Sequence, residues 1–178
     1  MKKTVLLPLI VMISAAVLLF GCSFALQGIG AARAQEEHLR ILQTVLPGSS
    51  EFFVEPYTGD DTNIQSVHKG ETGFVIETVT RGYADDIRMM IGVSNEGSVT
   101  GLVVMDMAET FGLGANALTD HVFLAQLLNT SGEAEVGTNV DSITGATVTS
   151  KAVVRSANSA VAFVTGADTA SGATSWGG

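Results

Sequence analysis

The chain opens on an apolar run from Thr4 to Leu26, with Lys2 and Lys3 before it and no charge inside. As a helix, its 23 positions would cover roughly 35 Å at ~1.5 Å per residue, enough to cross a bilayer. Pro8 falls in the first turns, where a missing N–H costs little. The positive flank keeps the N-terminus cytoplasmic and sends the rest of the chain outside, as a single-pass protein of the cell membrane. A cleaved signal peptide, with Ala32-Arg33-Ala34 as its site, and a lipoprotein, with Leu19-Phe20-Gly21-Cys22 as its lipobox, are the competing readings. The run is longer than a signal-peptide core of ~7–15 residues, and Phe20 is bulky where a lipobox has a small residue.

Beyond the run the apolar spacing changes several times. Leu39, Leu42, Val45 and Leu46 share one face of a helix predicted over Gln35 to Leu46, which Pro47-Gly48 stops. Ser49 to Gly70 is polar, with a turn at Gly59-Asp60-Asp61. Gly73 to Thr80, Ile87 to Val93 and Val99 to Met105 are rich in β-branched residues and separated by turn signals, which predicts an antiparallel meander. Their alternation is incomplete, so some strands should be buried on both faces. Ala117 to Leu128 reads as helix, and Gly132 to Val140 as loop or edge strand. From Ser150 to Val164, Ala152, Val153, Ser156, Ala157, Ala160, Val161 and Val164 form one helical face of small residues suited to packing on a sheet. Thr149 or Ser150 would cap that helix and Gly166 would end it. The fold class is therefore α+β: an N-terminal transmembrane helix plus one domain with a largely antiparallel sheet and packed helices. Residues 1–28 form the membrane anchor, 29–48 a linker helix, 49–166 the domain and 167–178 a flexible tail.

Charge narrows the function. Removing Lys2 and Lys3 leaves seven basic against eighteen acidic residues, a formal charge of −11 beyond Leu26. That argues against nucleic acid and against electrostatic docking on anionic lipid. Cys22 is the only cysteine, so no intrachain disulfide or cysteine metal cluster can form. His38, His68 and His121 lack metal-ligand spacing, and no Gly-x-Ser-x-Gly elbow supports hydrolysis. Met89, Met90, Met105 and Met107 read as core.

Two segments carry chemistry. In Asp141-Ser142-Ile143-Thr144-Gly145-Ala146-Thr147 a hydroxyl follows two small residues at the mouth of the last helix, with an acid six positions upstream. Backbone N–H groups and the helix dipole favour an anion there, so the segment suits something phosphorylated. In Glu109-Thr110-Phe111-Gly112-Leu113-Gly114, two glycines one residue apart suit a loop that lets backbone approach a flat ligand.

The first segment resembles the D-x-x-[ST]-G-A-T signature of the FMN-binding domain family. The anchor, the Leu46-Pro47-Gly48 helix end, the strand leading to Arg81-Gly82-Tyr83 and the 109–114 loop follow in the order of the Rnf G-subunit family, which the chain resembles over nearly its whole length. The C subunit of the sodium-translocating NADH:quinone reductase shares the attachment site. The resemblance implies covalent FMN, joined to Thr147 by a phosphoester that a separate flavin transferase installs from FAD. Asp141 would serve recognition by that enzyme, Gly145 and Ala146 would leave room, and Thr144 would bond the phosphate. Glu109, Thr110, Gly112, Leu113 and Gly114 would border the isoalloxazine ring. The family loop reads E-T-P-G-L-G with a histidine shortly before; here Phe111 replaces the proline and Met107 stands near the histidine position.

The implied function is an electron-transfer subunit among other membrane subunits of an Rnf-type complex, in which ferredoxin/NAD oxidoreduction drives Na⁺ or H⁺ across the membrane. The subunit would be part of a translocase and not catalytic alone. A stand-alone anchored flavoprotein passing electrons to an external acceptor, and a non-redox anchored binding module, are the alternatives. Asp168-Thr169-Ala170-Ser171-Gly172-Ala173-Thr174 repeats the signature. It is either a match by tail composition or a second FMN attachment at Thr174.

Overall fold

A computed structural model describes residues 12, 15–18, 20–21, 33–106 and 118–167. The chain divides into two compact units, 1–40 and 41–178. Most of the expected anchor lies outside the described residues, and among those described no helix is long and apolar enough to cross a membrane. The 109–114 loop, Cys22, Met107 and the second signature copy also lie outside them.

Five strands form one antiparallel sheet in sequence order: β1 (Phe53–Glu55), β2 (Ile64–Lys69), β3 (Gly73–Arg81), β4 (Asp86–Ser94) and β5 (Val99–Asp106). The meander expected from 73 to 105 is present, and β4 is buried on both faces from Met89 to Val93. The first two strands were not legible, because Ser49–Gly70 is polar and β1 is exposed along its whole length.

Helix α1 covers residues 33–45, α2 is His121–Ala125 and α3 is Thr147–Thr165. On one face of the sheet, Ile76, Ile87, Met89, Ile91 and Val93 pack with Ala152, Val153, Ala157, Ala160 and Val161 of α3. Each fully buried Ile, Val or Met side chain there contributes roughly 1.5–3 kcal/mol. On the other face Leu42, Val45 and Leu46 cover Val75 and Met90. Leu39, expected on the same stripe, is exposed. The tight fit at Val45 comes from glycine. Gly92 and Gly101 are cross-strand partners, and a Cβ at Gly92 would overlap the carbonyl oxygen of Val45, while one at Gly101 would stand 2.7 Å from it. Thr100 Oγ1 donates to that same oxygen at 2.6 Å.

Three expectations are corrected. The helix expected over Ala117–Leu128 is broken. Asp120 caps a new start through bonds from the Val122 and Phe123 N–H groups. After α2, Asn129 takes a positive φ and residues 129–130 bond the backbone of Val99, which draws the chain out of the helix. The final helix begins three residues earlier than expected, at Thr147, so Thr149 and Ser150 are buried inside it rather than capping it. Met105 is partly exposed rather than core. Gly166 ends α3 in the left-handed conformation, as expected, with its N–H on Ala162 O.

Candidate functional site

Helix α3 is clamped antiparallel to β3. Near its C-terminal end, Phe163 meets Tyr57 and Phe74 edge to face, at centroid distances of 5.8 and 5.7 Å. Mid-helix, Asn63 Nδ2 donates to Ser159 Oγ. Nearer the N-terminus, Thr80 Oγ1 donates to Ala152 O at 3.2 Å and lies 2.8 Å from Ser156 Oγ, all buried. Thr80 is the penultimate residue of β3. The β3–β4 hairpin tip therefore lies at the same end of the domain as Thr147. So does the end of β5, since Asp106 pairs with Arg88. The chain leaves β5 there for the 109–114 segment.

The segment ahead of α3 is held in place by its own polar groups. Asp141 N–H donates to Gln126 Oε1 at 2.8 Å, tying the segment to the turn after α2. Ile143 N–H donates to the buried Ser150 hydroxyl at 3.3 Å, and Ala146 N–H closes a turn on Ile143 O at 2.9 Å. Gly145 supplies the φ of +80° that this turn needs, a conformation costing an ordinary L residue about 1–2 kcal/mol. Gly145→Ala should lose that much stability in a denaturant melt, and Gly145→Asn less, because Asn tolerates the left-handed region. Equal midpoints for glycine and alanine would contradict the turn geometry.

Ala146 is buried and stands as N-cap, with no side-chain capping bond. Thr147 follows as the first helical residue, exposed, and no acidic side chain occupies the first turn. Asp141, Ser142, Thr144 and Gly145 are also exposed, whereas Ile143 is half-buried against the core. The helix dipole and the N–H groups of the first turn point at the space beside Thr147. An exposed hydroxyl, a turn without a Cβ and a helix mouth without carboxylates together fit a phosphoester. Lys151, one turn further along, is exposed.

The sequence reading missed one residue at this end. Tyr83 is 69% exposed on a hairpin closed by Gly82 N–H to Asp85 O. Arg81 braces that hairpin through Asp85, Asp86 and the Ala84 carbonyl. In the sequence Arg81-Gly82-Tyr83 marks the end of a strand and one step in the order of the family's features, with no site role assigned to it. Its closeness to the Thr147 end arises from the pairing of β3 with α3, which no local pattern encodes. Two apolar side chains are exposed on the flanking helices: Val122, at 78%, and Val148, at 40%. Among the described residues no group of histidine, cysteine or carboxylate side chains could hold a metal ion.

The model of the FMN-binding domain family matches residues 82–162, from the hairpin tip through most of α3. The G subunit of the ion-translocating oxidoreductase complex of Methanosarcina acetivorans is 34% identical over 145 residues, 72% of this chain and 76% of that protein. The G subunit of the Na⁺-translocating ferredoxin:NAD⁺ oxidoreductase complex of Acetobacterium woodii is 34% identical over 98 residues, 50% of this chain and 47% of that protein. The proton-translocating counterpart of Clostridium ljungdahlii is 33% identical over 99 residues, 52% of this chain and 53% of that protein. The chain thus spans about half the length of the Acetobacterium and Clostridium relatives.

Proposed function

This chain belongs to the G-subunit family of Rnf-type ion-translocating oxidoreductase complexes, and we propose that it is an electron-transfer subunit carrying FMN on Thr147 through a phosphoester bond. The observation that carries this is the presentation of Thr147: exposed, first in a 19-residue helix, behind a glycine turn and beside no acidic first-turn side chain. The family match across residues 82–162 supports FMN as the group. Bound there, FMN supplies the electron chemistry, and the chain supplies position and surroundings.

The roles follow from placement. Thr147 forms the covalent link, and the helix mouth bears the phosphate charge. Thr144 donates to the phosphate, while Gly145 and Ala146 keep the approach clear. Asp141, exposed at the start of the segment, is what a flavin transferase reads. Glu109, Thr110, Gly112, Leu113 and Gly114, which follow β5 in the sequence, border the ring. Tyr83 packs its ring on the flavin. Tyr83→Ala is therefore expected to leave the adduct intact and to raise flavin emission, because the contact that quenches it is gone; unchanged emission would remove Tyr83 from the site.

In the assembly, the N-terminal apolar run anchors the chain, the domain stands on the extracytoplasmic side, and other membrane subunits pass electrons through it. Ferredoxin and NAD are the outer partners, and Na⁺ or H⁺ is the coupled ion, as the relatives' names indicate for them. Affinity purification of the tagged chain from detergent-solubilised membranes tests the assembly. Co-purification with further membrane subunits and ferredoxin-linked NAD reduction is expected. A chain recovered alone that still reduces an added acceptor would make it a stand-alone flavoprotein.

A further inference from the structure

We propose that Lys151 is a positioning residue for the flavin, holding the phosphoester on Thr147 by an ion pair from one helical turn away. The inference rests on the assignment of FMN to Thr147 and adds to it the cation that answers the phosphate.

Burial leaves α3 a single exposed ridge. From its first residue to Val164, only Thr147, Val148, Lys151 and Arg155 are exposed. Thr147, Lys151 and Arg155 follow one another at intervals of four, the spacing that makes side chains neighbours on one helix face. The helix contains no acidic residue. It lies in a unit, residues 41–178, with sixteen acidic and five basic side chains, so a purely basic ridge runs against the charge of its surroundings.

The other three basic side chains of that unit are engaged. Lys69 lies over the Phe74 ring, 5.6 Å from its centroid. Arg81 pairs with Asp85 and Asp86, and Arg88 with Glu77 at 3.7 Å. Lys151 and Arg155 make no ion pair among the described residues. The two cations left to meet an anion from outside are therefore both on the ridge that starts at Thr147.

Direction separates their roles. Side chains on a helix tilt toward its N-terminus and lie over the preceding turn. Lys151 thus leans over Thr147, with Cβ atoms about 5–6 Å apart, a gap that a flexible four-carbon stem bridges. Arg155 leans over Lys151 instead, and stands roughly 12 Å along the axis from Thr147. A phosphate joining Thr147 to the flavin is a diester with one negative charge. The first-turn N–H groups reach it along the helix axis, and Lys151 reaches it from the ridge. Held from both directions, the phosphate fixes the point from which the rest of the flavin leaves the helix.

The full chain would be co-expressed with a flavin transferase and treated with limiting acetic anhydride, and the acetylation rate of each lysine read by peptide mass spectrometry. Thr147→Ala serves as the unloaded reference. Loading should slow acetylation of Lys151 about twofold to fivefold, the range that an exposed ion pair supports. Lys69, beside Phe74 at the far end of α3, should react equally in both chains. The protection should vanish at ~1 M KCl, where charges are screened beyond roughly 3 Å. In phosphorus NMR, the resonance absent from Thr147→Ala should shift in Lys151→Gln and stay in place in Lys151→Arg and Arg155→Gln. A loaded chain whose Lys151 reacts as fast as in Thr147→Ala overturns the ion pair and leaves the attachment standing. So does protection that survives high salt, which is steric cover, or a resonance that Lys151→Gln and Arg155→Gln move equally. A chain that takes no FMN on Thr147 removes the attachment and the ion pair together.

Discussion

Thr147→Ala is expected to reduce ferredoxin-linked NAD reduction in membranes to the background of membranes lacking the chain. On the proposed attachment, the substitution removes the atom that would hold the flavin, and no side chain can stand in for the cofactor's electron chemistry. The fold should not suffer. Thr147 is exposed, caps nothing with its side chain and starts a helix that alanine favours, so stability should shift by no more than about 0.5 kcal/mol. The variant protein should therefore reach the membrane in normal amount while carrying no flavin on residues 141–147. Thr147→Ser keeps a hydroxyl and should restore part of both loading and activity. Wild-type activity in Thr147→Ala, measured with the chain present at normal level, would remove this flavin from the electron path.

The largest expected loss of stability comes from Gly92→Ala. The new methyl group would overlap the Val45 carbonyl oxygen, which belongs to backbone and cannot rotate away as a side chain would. Thr100 Oγ1 holds the same oxygen at 2.6 Å, so any retreat also stretches that bond. Relief requires lifting residues 42–46 from the sheet, which uncovers Leu42, Val45, Leu46, Val75 and Met90. Overpacking costs about 1–3 kcal/mol, and full exposure of even one large aliphatic adds roughly 1.5 kcal/mol or more. The sum is about 3–4 kcal/mol, a large fraction of the ~5–15 kcal/mol that stabilises a typical domain. A drop of that size in the denaturant midpoint, with lost amide protection in β4, β5 and residues 42–46, is the expected signature. Gly101→Ala should cost less, because its Cβ meets the same oxygen at 2.7 Å. A midpoint for Gly92→Ala within about 0.5 kcal/mol of wild type would mean that residues 42–46 do not rest on the sheet as described.

The Gly92 notch marks the boundary of what sequence alone could reveal. Leu42, Val45 and Leu46 were legible as an apolar stripe because a helix repeats every 3.6 residues. That the stripe ends on a cross-strand glycine pair was not legible, since residues 45, 92 and 101 come together only through the sheet. The central strands β3, β4 and β5 were legible from β-branched residues and turns. Strands β1 and β2 were hidden in a polar stretch, because β1 buries nothing and β2 alternates only weakly. The face of α3 was read correctly at Ala152, Val153, Ser156, Ala157, Ala160 and Val161. Its start was not, because serine and threonine at 149–150 look like caps but are buried within the helix.

The same division runs through the candidate site. Asp141 to Thr147 is contiguous, so its motif could be recognised, and the positive φ of Gly145 gives a physical reason for the glycine in it. Tyr83 was passed over because only the antiparallel run of β3 along α3 brings its hairpin to the Thr147 end.

The most direct test of the central claim is peptide mapping of the chain after co-expression with a flavin transferase. The protein would be denatured, stripped of loosely held flavin, digested and sequenced by tandem mass spectrometry. An FMN phosphoester localised to Thr147 is the predicted result. A flavin released by denaturation, or an adduct absent from the 141–147 segment, would contradict the assignment.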